Sequence, residues 1–201
     1  MKRWMKALIG GVCLCLLLSL CGFTGECEKI RDRVVRLHIL ANSDSDEDQA
    51  LKLKVRDAVT EAAAGWLDDA EGEGEALQKM ERYLPELQEV AQQTVYDEGY
   101  SYPVTATLCR MHFDTREYDE VTMPAGIYDA VRFTIGEGQG KNWWCVMFPP
   151  LCVPVADGSV ETDDGVVLEE YLNEDGKRIV TSGNRYKVKF KVVEWYEKLF
   201  K

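Results

Sequence analysis

Few residues in this chain have the types and spacing that chemistry demands. His38 is one of two histidines, the other being His112. Asp44 and Asp48 follow it closely, which makes His38 the best candidate for a general base; a hydrolase would use it to activate water. His38 nevertheless sits on an alternating segment with Val34, Arg36 and Leu40. A histidine on such a mixed strand face ordinarily serves as hydrogen-bonded scaffold. The chain contains no G-x-S-x-G, no H-E-x-x-H and no cysteine–histidine spacing of an active-site kind. No catalytic residue is assigned.

Gly136, Gly138 and Gly140 form a G-x-G-x-G run. A dinucleotide loop requires a strand, the glycines and then a helix whose N-terminus holds phosphate. Here Lys141 to Val146 reads as a strand, so the run is expected to be a hairpin turn. Lys141 is not followed by Ser or Thr, which excludes a Walker loop. Asp44, Asp46 and Asp48 imitate the start of a calcium loop, but such a loop needs Gly at its sixth position and Glu at its twelfth. Those positions hold Gln49 and Val55, or Glu47 and Leu53 in the register from Asn42. The acids are therefore expected to suit the positive end of a helix dipole and to bind no calcium. No metal and no cofactor is expected.

Cysteine usage fits an oxidising compartment. Cys13, Cys15 and Cys21 lie in an apolar leader; Cys27, Cys109, Cys145 and Cys152 follow it. Four cysteines allow three pairings. Cys145 and Cys152 are the candidate disulfide, with Pro149-Pro150 between them to turn the chain back. Free buried thiols are the alternative, and a zinc site would want closer spacing and more ligands. Trp143 and Trp144 are adjacent, so on a strand they point to opposite faces. One can fill a core while the other anchors an interface; burial of both is the alternative.

The elements that must position these residues are legible in outline. Met1 to Lys6 is cationic and Ala7 to Leu20 is an apolar run without a charge. That is the build of a secretory signal peptide, or of an uncleaved signal anchor if the run extends to Phe23. Leu20 precedes Cys21 where a lipobox wants a small residue. The net charge of −11 becomes −14 once the leader's Lys2, Arg3 and Lys6 are removed. So acidic a chain is repelled by nucleic acid and by anionic headgroups. Next come a strand from Arg33 to Ala41, a helix capped by Ser45 and running to Trp66, and a second helical pattern interrupted by Pro85, where a kink or a fresh start is expected. Gly99 ends it. Strands follow at Val104 to Phe113, Ile127 to Ile135 and Asn142 to Phe148. Pro154 to Gly165 reads as an acidic linker and Val166 to Leu172 as a short helix. Lys187 to Val192 alternates as a strand, and Glu194 to Leu199 as a short helix. The pattern predicts an α+β fold: a two-layer sandwich with a mainly antiparallel sheet packed on a helix pair. The expected organisation is a leader over 1–25, a domain over 26–153 and an accessory segment over 154–201.

Two strings carry a resemblance. One is Arg36-Leu37-His38-Ile39-Leu40-Ala41-Asn42-Ser43-Asp44-Ser45, continued by Glu47 to Val59. The other is Pro124-Ala125-Gly126-Ile127-Tyr128 with Gly136 to Cys152, including Asn142-Trp143-Trp144-Cys145-Val146 and Phe148-Pro149-Pro150-Leu151-Cys152. Together they resemble stage II sporulation protein R. Asp46 stands where that family usually has proline; both residues suit a first helical turn. The resemblance implies an exported, non-enzymatic signalling protein of endospore formation. Such a protein leaves the forespore for the intermembrane space and activates a membrane-bound aspartic protease of the mother cell. That protease then processes pro-sigma-E. An exported hydrolase acting through His38 and the nearby carboxylates, for example on cell wall, is the alternative. For the ligand reading, the expected recognition face lies where Asn42, Asp44 and Gln49 approach Asn142, Trp143 and Trp144. The rival reading is that Asn42 and Asp44 hold the strand-to-helix turn.

Overall fold

The computed structural model describes residues 3–67, 70–118, 121–149 and 172–200. In chain order the elements are α1 (Arg3–Arg31), β1 (Val35–Leu40), α2 (Asp46–Leu67), α3 (Glu73–Asp97), β2 (Val104–Phe113), β3 (Arg116–Tyr118), β4 (Val121–Met123), β5 (Gly126–Ile135), β6 (Asn142–Phe148), α4 (Glu174–Thr181) and α5 (Gly183–Phe200). They fall into two units. One comprises Met1–Asp32, Asp114–Gly126 and Leu172–Lys201, the other Arg33–Phe113 and Ile127–Tyr171. The units interleave along the chain, so they are not consecutive segments.

The larger unit has the expected α+β build. Its sheet has the order β2-β5-β1-β6. β1 lies parallel to β5 and antiparallel to β6. β2 runs antiparallel to β5: the Gly136 N–H donates to Pro103 O at 2.8 Å, and Arg110 meets Asp129 at 3.7 Å farther along. A parallel pair needs a long crossover, and α2, α3 and β2 supply it. Alternation sets the inner face. Leu37 and Ile39 of β1 pair with Val131 and Phe133 of β5 and with Cys145 and Trp143 of β6. On that face they meet Leu51, Val55 and Val59 of α2 and Met80, Leu87 and Ala91 of α3. Burying each Val, Leu, Ile, Phe or Met side chain among them is worth about 1.5–3 kcal/mol.

Ser45 caps α2 as the sequence predicts, its Oγ accepting the Asp48 N–H at 3.1 Å. Replacing Ser45 by alanine is expected to cost ~1 kcal/mol in a urea melt; an unchanged midpoint would mean that water serves this N–H equally well. Pro85 neither restarts nor divides α3, which is one element from Glu73 to Asp97. Tertiary packing overrides the local penalty here. The apolar stripe through Ala76, Met80, Leu87, Ala91 and Val95 runs past the proline without a break. The carbonyl left without a helical partner belongs to Glu81, an exposed residue.

The β2 edge of the sheet is closed by α3 itself. Gln92 Oε1 accepts the Val104 N–H (2.8 Å) and Gln88 Oε1 accepts the Ala106 N–H (2.9 Å). Gln92 Nε2 also donates to Tyr102 O at 2.9 Å. Two glutamines one helical turn apart thus stand in for a neighbouring strand, which blunts an edge that would otherwise invite self-association. The double replacement Gln88→Ala/Gln92→Ala is expected to lower stability by about 2 kcal/mol and to promote oligomers at high concentration. Melting and light scattering would measure both, and a double variant as stable and monomeric as the parent would refute the role.

The smaller unit gathers α1, the β3–β4 ribbon, α4 and α5. α1 reaches past the apolar leader: Phe23, Cys27 and Ile30 are buried. Phe23 contacts the Tyr186 and Phe190 rings at centroid distances of 5.5 and 5.2 Å. Lys187 to Val192, expected as a strand, is helical within α5. The alternation of lysine with Val or Phe there is overridden by packing within the unit, where Phe190 meets Phe23 of α1 and both Phe190 and Val193 are buried at helical spacing. The expected linker at 154–165 and all but the last residue of the helix expected over Val166 to Leu172 lie outside the described residues; Leu172 itself is not helical.

Candidate functional site

The G-x-G-x-G run is not a hairpin. β1 lies between β5 and β6, so the glycine loop must pass across the end of β1, over the turn that leads into α2. It grips that turn with four backbone amides. Glu137 N–H donates to Asn42 Oδ1 at 3.1 Å. Gln139 N–H donates to Asn42 O (3.1 Å) and Gly140 N–H to Ala41 O (2.9 Å). Lys141 N–H donates to Asp44 Oδ1 at 2.7 Å. Amides that would cradle phosphate in a nucleotide loop here cradle an asparagine and an aspartate of the same chain. Glycine is demanded by the closeness of approach. A Cβ on Gly136, whose φ is +58°, would lie 2.2 Å from Asn42 Oδ1, and one on Gly140 would lie 2.0 Å from Ser43 O.

The turn is also tied to α2. Asn42 Nδ2 and Ser43 Oγ donate to Asp48 Oδ2 at 2.9 and 2.6 Å. Burial pushes the Asp48 carboxyl pKa up, but the hydrogen bonds from Ser43, Asn42 and Tyr102 outweigh that and hold it below the ordinary value. Gln49 Nε2 donates to Ser43 O at 2.8 Å. Lys52, buried, donates to Gln49 Oε1 (2.6 Å) and to Lys141 O (3.0 Å). Burial lowers its pKa, and the nearby Asp44 carboxylate opposes that. Beside this knot opens a cleft of about 610 Å³ bordered by Asn42, Tyr102, Pro103 and the Glu137–Gln139 loop.

The expected recognition residues are therefore brought together, and three of them, half-buried Asn42 and Gln49 and exposed Asp44, are engaged in bonds within the fold. Asn42, Asp44 and Gln49 each hold the turn through the bonds above. Asn142 and Lys141 are exposed. Trp143 is half-buried on the helix face, with the Arg56 guanidinium 4.5 Å from its ring centroid. Trp144 lies on the opposite face, stacked on His38 at 4.0 Å and edge-on to Phe113 at 4.9 Å. Cys145 is disulfide-bonded; Cys152, the partner that the sequence offers, lies outside the described residues. Among the described residues no three His, Cys, Asp or Glu side chains gather to hold a metal ion.

His38 is 3 % exposed, and neither ring nitrogen makes a hydrogen bond of good geometry to a described residue. Burial pushes its pKa from 6.5 down to about 4; the Asn142 side chain opposes the shift and the Arg132 cation adds to it. The lowered pKa favours the neutral ring at pH 7, and the ring is buried. Asp48, the carboxylate that a hydrolase would pair with it, is bound to Asn42 and Ser43.

The same outer face buries Arg36. Its Nε donates to Cys145 O at 2.9 Å, and its guanidinium lies 4.5 Å from the Phe113 ring and 5.0 Å from the Tyr128 ring. Sequence reasoning passed over Arg36, Lys52, Gln88 and Gln92. A basic residue at a strand position otherwise filled by core residues was the one available sign for Arg36.

Comparison with known proteins agrees with the two strings quoted above. A family model described as Stage II sporulation protein R matches residues 31–157. The curated Stage II sporulation protein R of Bacillus subtilis (strain 168) is 35% identical over 186 residues, covering 85% of this chain and 83% of that protein. No solved structure matches the chain.

Proposed function

The chain belongs to the stage II sporulation protein R family, and from that premise we propose that it is an exported signal between the two cells of the sporangium. In this reading it leaves the forespore, activates a membrane-bound aspartic protease of the mother cell and so triggers processing of pro-sigma-E. The observation that carries the reading is the family match over 31–157, which spans all of the described larger unit. The apolar α1, compatible with an export signal, supports it. The burial of His38 weighs against the hydrolase alternative, since a general base must reach the proton that it takes.

We place the protease-binding face at the end of β6, where Lys141 and Asn142 lie beside the glycine loop. Asn42, Asp44 and Gln49 hold that face in shape, while Asn142 and the half-exposed Trp144 contact the partner. Binding activates only if it favours the protease's active state over its inactive one. The test is co-expression of the chain, the protease and pro-sigma-E in a non-sporulating host. Processing should require the chain, and Asn142→Ala should weaken processing at an unchanged melting temperature. Processing that proceeds without the chain would defeat the function. Processing losses that always track stability would move the contact face elsewhere.

A further inference from the structure

α5 carries apolar residues on two faces. One face, with Tyr186, Phe190 and Val193, packs within its own unit, Tyr186 and Phe190 against Phe23 of α1. The other displays Val188 (78 % exposed), Val192 (38 %), Trp195 (65 %) and Tyr196 (48 %). Their spacing of four, three and one places them on a single stripe. The charge also reverses there. Within a strongly acidic protein, α5 holds Arg185, Lys187, Lys189, Lys191 and Lys198 against only Glu194 and Glu197. A basic helix with a Trp- and Tyr-bearing apolar stripe has the composition of a bilayer-surface helix.

The position of α5 fixes the partner. α1 is long and apolar enough to cross a membrane, and its apolar stretch is almost wholly exposed, with Trp4, Leu8, Val12 and Leu18 all uncovered. Lys189 Nζ donates to Ser19 Oγ at 2.9 Å, next to exposed Leu18. Phe23, which α5 grips, lies three residues before Glu26, the first charge after the leader's apolar run. That is less than one helical turn, roughly 4.5 Å of rise. α5 is thus joined to α1 where α1 would pass from hydrocarbon to water, the zone in which Trp, Tyr and Lys accumulate. We infer that α5 is a membrane-surface helix that seats Val188, Val192, Trp195 and Tyr196 in the outer layer of the bilayer entered by α1, with Lys187 and Lys191 beside anionic headgroups.

The experiment uses the full chain reconstituted into vesicles of equal parts phosphatidylglycerol and phosphatidylcholine, with brominated acyl chains as a membrane quencher and iodide as an aqueous one. No protease takes part, so the outcome is independent of the signalling activity. Wild type should contain a bromolipid-quenched, iodide-resistant emission component that Trp195→Phe lacks. Val192→Asp should shift the Trp195 component toward iodide quenching while leaving that of Trp4, in α1, unchanged, and Lys187→Glu/Lys191→Glu should weaken its bromolipid quenching. Circular dichroism of each variant should match wild type, so that a shift cannot be ascribed to misfolding. A Trp195 component quenched by iodide alone would overturn the inference, because the stripe would then face water. One quenched by neither agent would also overturn it, because protein would then cover the stripe.

Discussion

Gly140→Ala is expected to lower the stability of the larger unit by ~3 kcal/mol, the upper end of what overpacking costs. The added methyl would lie 2.0 Å from Ser43 O, a backbone atom that cannot rotate away. To make room, the loop must lift off the turn. It would then loosen the amide bonds from Gln139, Gly140 and Lys141 to Asn42, Ala41 and Asp44 together. In a thermal melt the loss should reach about 10 °C for a unit of this size. Asn42→Ala should cost about 2 kcal/mol by orphaning the Glu137 N–H and one bond to Asp48. Because both replacements open the same grip, their combined cost should fall short of the sum. Additive costs, or a Gly140→Ala protein within 0.5 kcal/mol of wild type, would show that the loop does not hold the turn. The pair also bears on the recognition face. Replacing Asn42 or Asp44 should affect processing only through stability, whereas replacing Asn142, exposed and outside the grip, should weaken it at unchanged stability.

The second large effect is an acid lability centred on His38. Its ring titrates at about 4 in the folded chain against 6.5 when free. Between those values the unfolded chain binds a proton that the folded chain refuses. The stabilising contribution is therefore complete above pH 6.5, shrinks as the pH falls and is lost by about pH 4, a change of ~3 kcal/mol. Asp48, whose pKa is held low by its hydrogen bonds, pushes the same way at the acid end: its contribution is lost as pH falls through its folded value. His38→Phe keeps an aromatic ring on Trp144 and removes the titrating group. Urea melts at pH 7.5, 5.5 and 4.0 should show wild type losing ~3 kcal/mol more than His38→Phe over that range. Parallel profiles would mean that His38 is not kept neutral. Since the Asp48 contribution persists in the variant, a residual acid slope is expected.

The elements themselves were legible because they rest on local causes. Period-two alternation placed β1 and β2, apolar runs bounded by glycine and proline placed β5 and β6, and helical spacing with the Ser45 cap placed α2. A cationic start and an uncharged apolar run marked α1. The two specific strings placed the chain in its family without any coordinates. What the sequence could not decide was which strands become neighbours. Pairing of β1 with β5 joins residues about ninety positions apart, and nothing in either strand's own pattern names its partner. That single pairing turned the expected hairpin at Gly136–Gly140 into a crossing loop. It also gave Asn42 and Asp44 hydrogen bonds to the crossing loop. The same cause misled the reading of Lys187 to Val192: its alternation is a local signal, and a distant helix, α1, outweighed it. Whether a polar side chain faces a partner or its own fold depends on what the chain brings alongside it. Asn42, His38 and Gln88 took their roles only when the Gly136–Gly140 loop, Trp144 and β2 arrived from elsewhere in the sequence.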